Sequence, residues 1–123
     1  MKLRTEPLTV HEDPRGVLVK AWPGPVTGEV YVVELRPGAS RGHHLHPDGG
    51  EWFVPLQGEV LLRVLDPATG ARAAVPLDGI RARVEAGQAH VLENHGAATA
   101  WVLAVADGTP EAMGTLPFPL GPP

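Results

Sequence analysis

Glycine and proline fill 29 of the 123 positions, 15 and 14 respectively. Each glycine inside a helix costs about 1 kcal/mol and each proline about 3, so this density argues against a helix bundle. Disorder is not expected either, because 43% of the residues are hydrophobic and they fall in short runs. The turn formers recur at short intervals: Asp13-Pro14-Arg15-Gly16, Pro23-Gly24-Pro25, Pro37-Gly38, Pro47-Asp48-Gly49-Gly50, Asp66-Pro67, Asp78-Gly79, Ala86-Gly87 and Asp107-Gly108. Between them lie runs rich in Val, Leu and aromatics, and these read as strands: Val17–Trp22, Glu29–Leu35, Glu51–Leu56, Glu59–Leu65, Ile80–Val84, Val91–Asn94 and Ala100–Ala106. Ile80, Ala82 and Val84 share one face, and Arg81, Arg83 and Glu85 the other. Trp52 is expected opposite Glu51 and Phe53, either on an apolar outer surface or in an inter-sheet core, and Trp101 in the core. Seven to nine short strands in one chain of this length predict a single all-β sandwich or barrel. The expected domain covers residues 1–116, followed by a proline-rich tail, 117–123, that is either loose or laid across the domain or a neighbour.

Charge and cysteine content narrow the partners. The net charge is −4, and the eight Arg and two Lys are scattered without a cluster, so nucleic acid is not an expected partner. With no cysteine there is no disulfide, no thiolate metal site and no Cys nucleophile. The opening MKLRTEPLTVHEDPRG has no apolar core of the signal-peptide kind. No run approaches the ~20 apolar residues that span a bilayer. A cytoplasmic protein without membrane contact is expected.

Four of the six histidines, His43, His44, His46 and His90, fall in two short regions. His44 and His46 are two apart, so on a strand they leave the same face while His43 and Leu45 leave the other. The tight segment Pro47–Gly50 then reverses the chain and returns Glu51 beside them. His90 heads a later run, just after Ala86-Gly87. Two or three imidazoles with one carboxylate form a mixed N/O set suited to Zn, Mn, Fe, Co, Ni or Cu.

The spacing of glycines among these residues resembles the cupin motifs. Gly38, five residues, His44, one residue, His46, four residues, Glu51, six residues, Gly58 is similar to the first cupin motif. Gly79, five residues, Glu85, one residue, Gly87, two residues, His90, three residues, Asn94 is similar to the second, with Glu85 standing where that family usually has Pro. The resemblance implies a double-stranded β-helix, a jelly-roll barrel with a divalent transition metal in its mouth. It also implies that His44, His46, Glu51 and His90 are the metal ligands.

Shorter matches point to a group within the cupins. Asp13-Pro14-Arg15-Gly16 resembles the opening of sugar-nucleotide epimerases related to dTDP-4-dehydrorhamnose epimerase. Arg41-Gly42-His43-His44-Leu45-His46 resembles a segment of the dTDP-sugar 3,4-ketoisomerases. Glu51-Trp52-Phe53-Val54 through Gly58, with Leu92-Glu93-Asn94-His95-Gly96, is similar to the metal-binding cupin domain of capsular-polysaccharide sugar epimerase/reductases. In the ketoisomerases the residues matching His44 and His46 act as acid and base without a metal, whereas in metal cupins they hold the ion.

These resemblances imply an epimerase or isomerase of a nucleotide-linked 4-keto-6-deoxy sugar, a dTDP- or UDP-sugar, working as a homodimer. A proton next to a metal-polarised carbonyl would be removed and returned. Candidate catalytic groups are His44, His46, Tyr31 and Glu93; Arg41 and Arg15 are candidate substrate-binding residues. Two other classes stay open on the same fold: a metal-dependent small-molecule oxygenase, and a non-catalytic metal- or ligand-binding cupin.

Overall fold

The computed structural model describes residues 1–122. The chain runs through β1 (Arg4–Pro7), β2 (Thr9–Asp13), β3 (Gly16–Lys20), β4 (Val30–Leu35), β5 (Ser40–Leu45), β6 (Glu51–Gln57), β7 (Leu61–Leu65), β8 (Arg72–Pro76), β9 (Ile80–Val84), β10 (Ala89–Glu93), β11 (Ala100–Ala106), the one-turn helix α1 (Pro110–Met113) and β12 (Leu116–Pro117). One five-stranded sheet has the order β1-β9-β6-β11-β4 and the other β12-β5-β10-β7-β8; β2 and β3 form a separate hairpin. Each pairing is antiparallel. From β4 to β12 the chain alternates between the two sheets except at the β7–β8 hairpin, in the manner of a double-stranded β-helix.

The two sheets face each other across one core. Leu35, Phe53, Ala82, Val84, Val102 and Ala104 from the first meet Leu62, Val64 and Leu92 from the second. Alternation places these residues inward, because strand side chains reverse face at every step. Phe53 is 2% exposed, and burial of a side chain of that size stabilises by about 1.5–3 kcal/mol. Among the described residues no helix is long and apolar enough to cross a membrane.

Some findings differ from the sequence reading. β1, β2 and β8 are strands although their sequences RTEP, TVHED and RAAVP lack a strong apolar alternation. Their order comes from pairing with β9, β3 and β7. Trp101 is not core: it is 36% exposed, since Val102 and Ala104 take the inward positions of β11. Trp52 does lie opposite Glu51 and Phe53, yet it is only 5% exposed. Its ring packs 5.7 Å from that of Trp22, and the Arg4 guanidinium sits 5.1 Å over it.

The tail lies across the domain. Leu116 and Pro117 pair with Leu45 and His44 at the open edge of β5, a position where proline is tolerated because no further strand needs its N–H. Phe118 and Leu120 then pack with Leu45, Leu65, Ala89 and Val91 on the outer face of the second sheet. The Arg63 and Arg72 guanidiniums donate to the carbonyls of Gly121 and Leu120. The last residue of the expected tail, Pro123, lies outside the described residues.

Candidate metal centre

Three strands and the residue that follows β5 bring four side chains to the open end of the barrel: His44 on β5, His46 just beyond it, Glu51 on β6 and His90 on β10. On β5 the backbone bulges: His90 of β10 pairs with His44, but Val91 pairs with Gly42, so His43 is the extra residue. His43 has φ +54° and Gly42 φ +122°. A Cβ on Gly42 would stand 2.6 Å from the His90 carbonyl oxygen, so this approach of β5 to β10 needs glycine. The bulge leaves His44 beside His90 and turns His43 outward, where its Nδ1 accepts from the Leu120 N–H at 3.2 Å.

Glu51 opens β6 immediately after the Pro47–Gly50 reversal. The turn is clamped by Asp107, whose carboxylate accepts from the Gly50 N–H at 2.9 Å and whose own N–H donates to the Gly50 carbonyl. Arg83 holds the same carboxylate at 2.6 Å. A Cβ on Gly50 would meet the Val84 carbonyl oxygen at 2.6 Å. On the other side of the site, the turn before His90 is closed by Gln88, whose side-chain oxygen accepts from the Glu85 N–H. That amide fastens the turn which the unusual Glu85 enters.

The ligand atoms of His44, His46, Glu51 and His90 all lie within 4.8 Å of one another, and the four could hold a metal ion. Bonds to a shared ion are about 2.0–2.2 Å, so donors this close can converge on one ion with side-chain adjustment. His46 is oriented by the chain beyond α1: its Nδ1–H donates to the Gly114 carbonyl at 2.7 Å, and Thr115 Oγ1 lies 3.2 Å from the same nitrogen. With Nδ1 protonated, a neutral His46 points its Nε2 lone pair inward. That nitrogen and His90 Nε2 each stand 3.2 Å from Glu51 Oε1. Yet Glu51 Oε1 and His90 Nδ1 are buried without a hydrogen-bond partner among the described residues. Buried polar atoms nearly always find partners. A lone pair facing a carboxylate oxygen needs a cation between them, and this unpaired oxygen is where a proton or a metal ion fits.

The electrostatics follow from burial and proximity. Burial, then the imidazoles of His90 and His46, push His44 down to about 4. Glu51 raises His46 against the opposing effect of burial. Burial works against the charge on Glu51, but His46, His90 and Tyr31 hold its carboxyl well below the usual carboxylate range. Tyr31 is pushed up by burial and by the Glu51 charge, and its hydroxyl donates to Glu51 Oε2 at 2.6 Å.

A cleft of about 600 Å³ opens above the cluster, lined by Tyr31, Val33, Arg41, His44, Phe53 and His90 among others. Of the residues singled out from sequence, Tyr31 and Arg41 are thus brought to the four ligands. Arg15 is not: it pairs with Asp13 at 2.6 Å, is 91% exposed, and lines a shallow groove of the β2–β3 hairpin. Glu93 is not either. It lies on the opposite face of β10 from His90 and Leu92, where Arg63 Nη1 donates to it at 3.0 Å and His95 lies at 3.2 Å. Asp107, Gly114 and Thr115 support the site without a ligand or catalytic motif in the sequence to mark them. Asp107-Gly108 gave only a turn signal, and a backbone carbonyl such as that of Gly114 leaves no mark in sequence.

Comparisons with known proteins agree with this architecture. The polysaccharide biosynthesis C-terminal domain family matches residues 11–109. No curated protein matches the chain in sequence. Among solved structures, ChmJ, a 3'-monoepimerase from Streptomyces bikiniensis, superposes with a TM-score of 0.76 at 22% identity, covering 89% of this chain and 67% of that one. A dTDP sugar isomerase from Desulfovibrio desulfuricans G20 gives a TM-score of 0.87 at 16% identity, covering 97% and 85%. The capsular polysaccharide assembling protein CapF from Staphylococcus aureus gives 0.70 at 22% identity, covering 93% of this chain and 35% of CapF. At these identities the likeness establishes the cupin-type fold.

Proposed function

The chain belongs to the polysaccharide biosynthesis C-terminal domain family, and from that premise we propose that it is a metal-dependent epimerase or isomerase of a nucleotide-linked 4-keto-6-deoxy sugar. The observation that carries this reading is the junction of a four-residue ligand cluster with an open cleft bearing a rim arginine. A divalent transition metal (Zn, Mn, Fe, Co, Ni or Cu) held by His44, His46, Glu51 and His90 would polarise a keto oxygen and acidify the adjacent C–H. The apolar walls Val33, Phe53 and Leu92 suit the face of a deoxy sugar and exclude water from it. Arg41 supplies a guanidinium able to pair with a diphosphate through two parallel hydrogen bonds. Tyr31, held neutral by burial and by Glu51, keeps its proton directed at Glu51 Oε2 and is not suited to removing one from substrate. Fold likeness to proteins described as a dTDP sugar isomerase and a 3'-monoepimerase supports the substrate class.

A second reading has its own support. His44 is pushed down to about 4 while His46 is raised, and neighbouring groups whose environments split their affinities for protons are the mark of an acid–base pair. In that reading His44 takes the proton and His46 returns it, with no metal required.

One experiment separates these readings from each other and from a non-catalytic cupin. A dTDP-4-keto-6-deoxy sugar is incubated in heavy water with protein whose metal content has been measured, before and after chelation. Deuterium entering the carbon next to the keto group only with metal present supports the first reading; undiminished exchange after chelation supports the second. No exchange in either case, with no dTDP- or UDP-sugar raising the melting midpoint, overturns both.

A further inference from the structure

Tyr31 stands on β4 and Glu51 on β6, with β11 between them. Two strand spacings separate them, about 9.5 Å, too far for most side-chain pairs. The inward residues of β11 at this level are Ala104 and Ala106, which pair with Tyr31 and Glu51 respectively. Both are small and both are buried, at 0% and 5% exposure. The phenol therefore passes over β11 and reaches the carboxylate, where its hydroxyl donates to Oε2 at 2.6 Å. Such a length belongs to a strong, charge-assisted hydrogen bond. The other oxygen, Oε1, is the one that His46 Nε2 and His90 Nε2 approach at 3.2 Å, and it has no hydrogen-bond donor among the described residues.

We propose that Tyr31 is a positioning residue that occupies Glu51 Oε2 and so restricts the carboxylate to one metal bond, through Oε1. This rests on the metal reading of the cluster. A carboxylate can otherwise bind an ion through one oxygen or both, and the choice changes the coordination number. Held to a single bond, Glu51 and the three imidazoles fill four positions and leave the cleft side free for substrate. Released, the second oxygen competes for that side. The small residues at 104 and 106 are part of the device, since a larger side chain at either would stand in the path of the phenol.

The test is Tyr31→Phe, which keeps the ring and removes the hydroxyl. Metal-stripped wild type and variant are titrated with Co²⁺, and the visible d–d absorption is recorded, with circular dichroism and melting of the metal-free proteins to check folding. The wild type is expected to take up one Co²⁺ with the intense bands of low coordination. In the variant those bands weaken and shift as the second oxygen joins, and Co²⁺ affinity falls about ten-fold, the scale typical of lost partners to metal ligands. A folded variant whose Co²⁺ spectrum matches the wild type overturns the proposal and leaves the metal reading intact. Failure of the wild type to bind Co²⁺ overturns the metal reading itself.

Discussion

The two faces of the β5–β10 pair carry similar side chains and opposite chemistry. Outward, His43, Leu45, Val91 and Glu93 meet the C-terminal arm and Arg63: the His43 nitrogen accepts from Leu120, and Glu93 is held by Arg63 and His95. Inward, one residue along, His44 and His90 adjoin His46 and a carboxylate oxygen that no hydrogen bond satisfies among the described residues. Outward polar groups are completed by the chain itself and act as structure. Inward, Tyr31 and the Gly114 carbonyl complete some of the polar atoms, and Glu51 Oε1 and His90 Nδ1 are left without a partner among the described residues. Residue type does not separate the faces; whether each polar atom is satisfied does.

The sharpest way to break this contrast is to remove one side chain from each side. His90→Ala is expected to abolish stoichiometric metal uptake, a loss of more than about 100-fold in affinity, beyond what groups outside a ligand set typically cost; elemental analysis after dialysis against limiting Zn²⁺ reads it. Retention of one metal per chain would place the ligands elsewhere. On the outer face Leu120→Ala should lower unfolding free energy by about 2–3 kcal/mol, in the lower part of the range for buried leucine. Urea titration of the metal-free protein measures it, and a change near zero would mean that the arm is not docked.

Proton linkage sharpens the comparison further. In metal-free protein His44 is held near pKa 4 against an ordinary 6.5. Between those values the unfolded chain binds a proton that the folded chain refuses, so His44 lowers stability as pH falls from 6.5 toward 4. Melting midpoints of His44→Gln should therefore decline less than wild type over that window; parallel curves would contradict the inward burial of this imidazole. Outward, Glu93 is shifted the ordinary way for an ion-paired acid: burial opposes its charge, but His95 and Arg63 pull it below its usual value. Its contribution is present above about pH 4.5 and lost only below it. Glu93→Gln is the smallest effect, because its amide oxygen can still accept from Arg63, and it leaves metal content unchanged.

Much of this frame can be read from residues and spacing. The glycines and the His44, His46, Glu51, His90 set locate two strand reversals and one cluster, because turn geometry and strand parity are local rules. Parity also argues against Glu93, since a face holding His90, Leu92 and Asn94 cannot hold residue 93. Other features depend on partners distant in sequence. Tyr31 sits in the apolar run of β4, and only the small Ala104 and Ala106 of β11 make it a site residue. The polar β1 and the alanine-rich β8 become strands by pairing, not by propensity. Arg15, conspicuous in Asp13-Pro14-Arg15-Gly16, closes an ion pair within its own hairpin. His46 takes its orientation from a backbone carbonyl 68 positions away.

The crowding at Gly42 and Gly50 has a consequence for how such a protein changes over generations or in a mutant library. Any side chain at either position must collide with the neighbouring strand's backbone within 2.6 Å. The frame around the ligands is thus closed to variation, while Arg41, Val33 and Leu92 border open space. New substrate preferences are reached by altering the walls with the two glycines left untouched, and randomising positions 42 and 50 yields mostly unfolded clones.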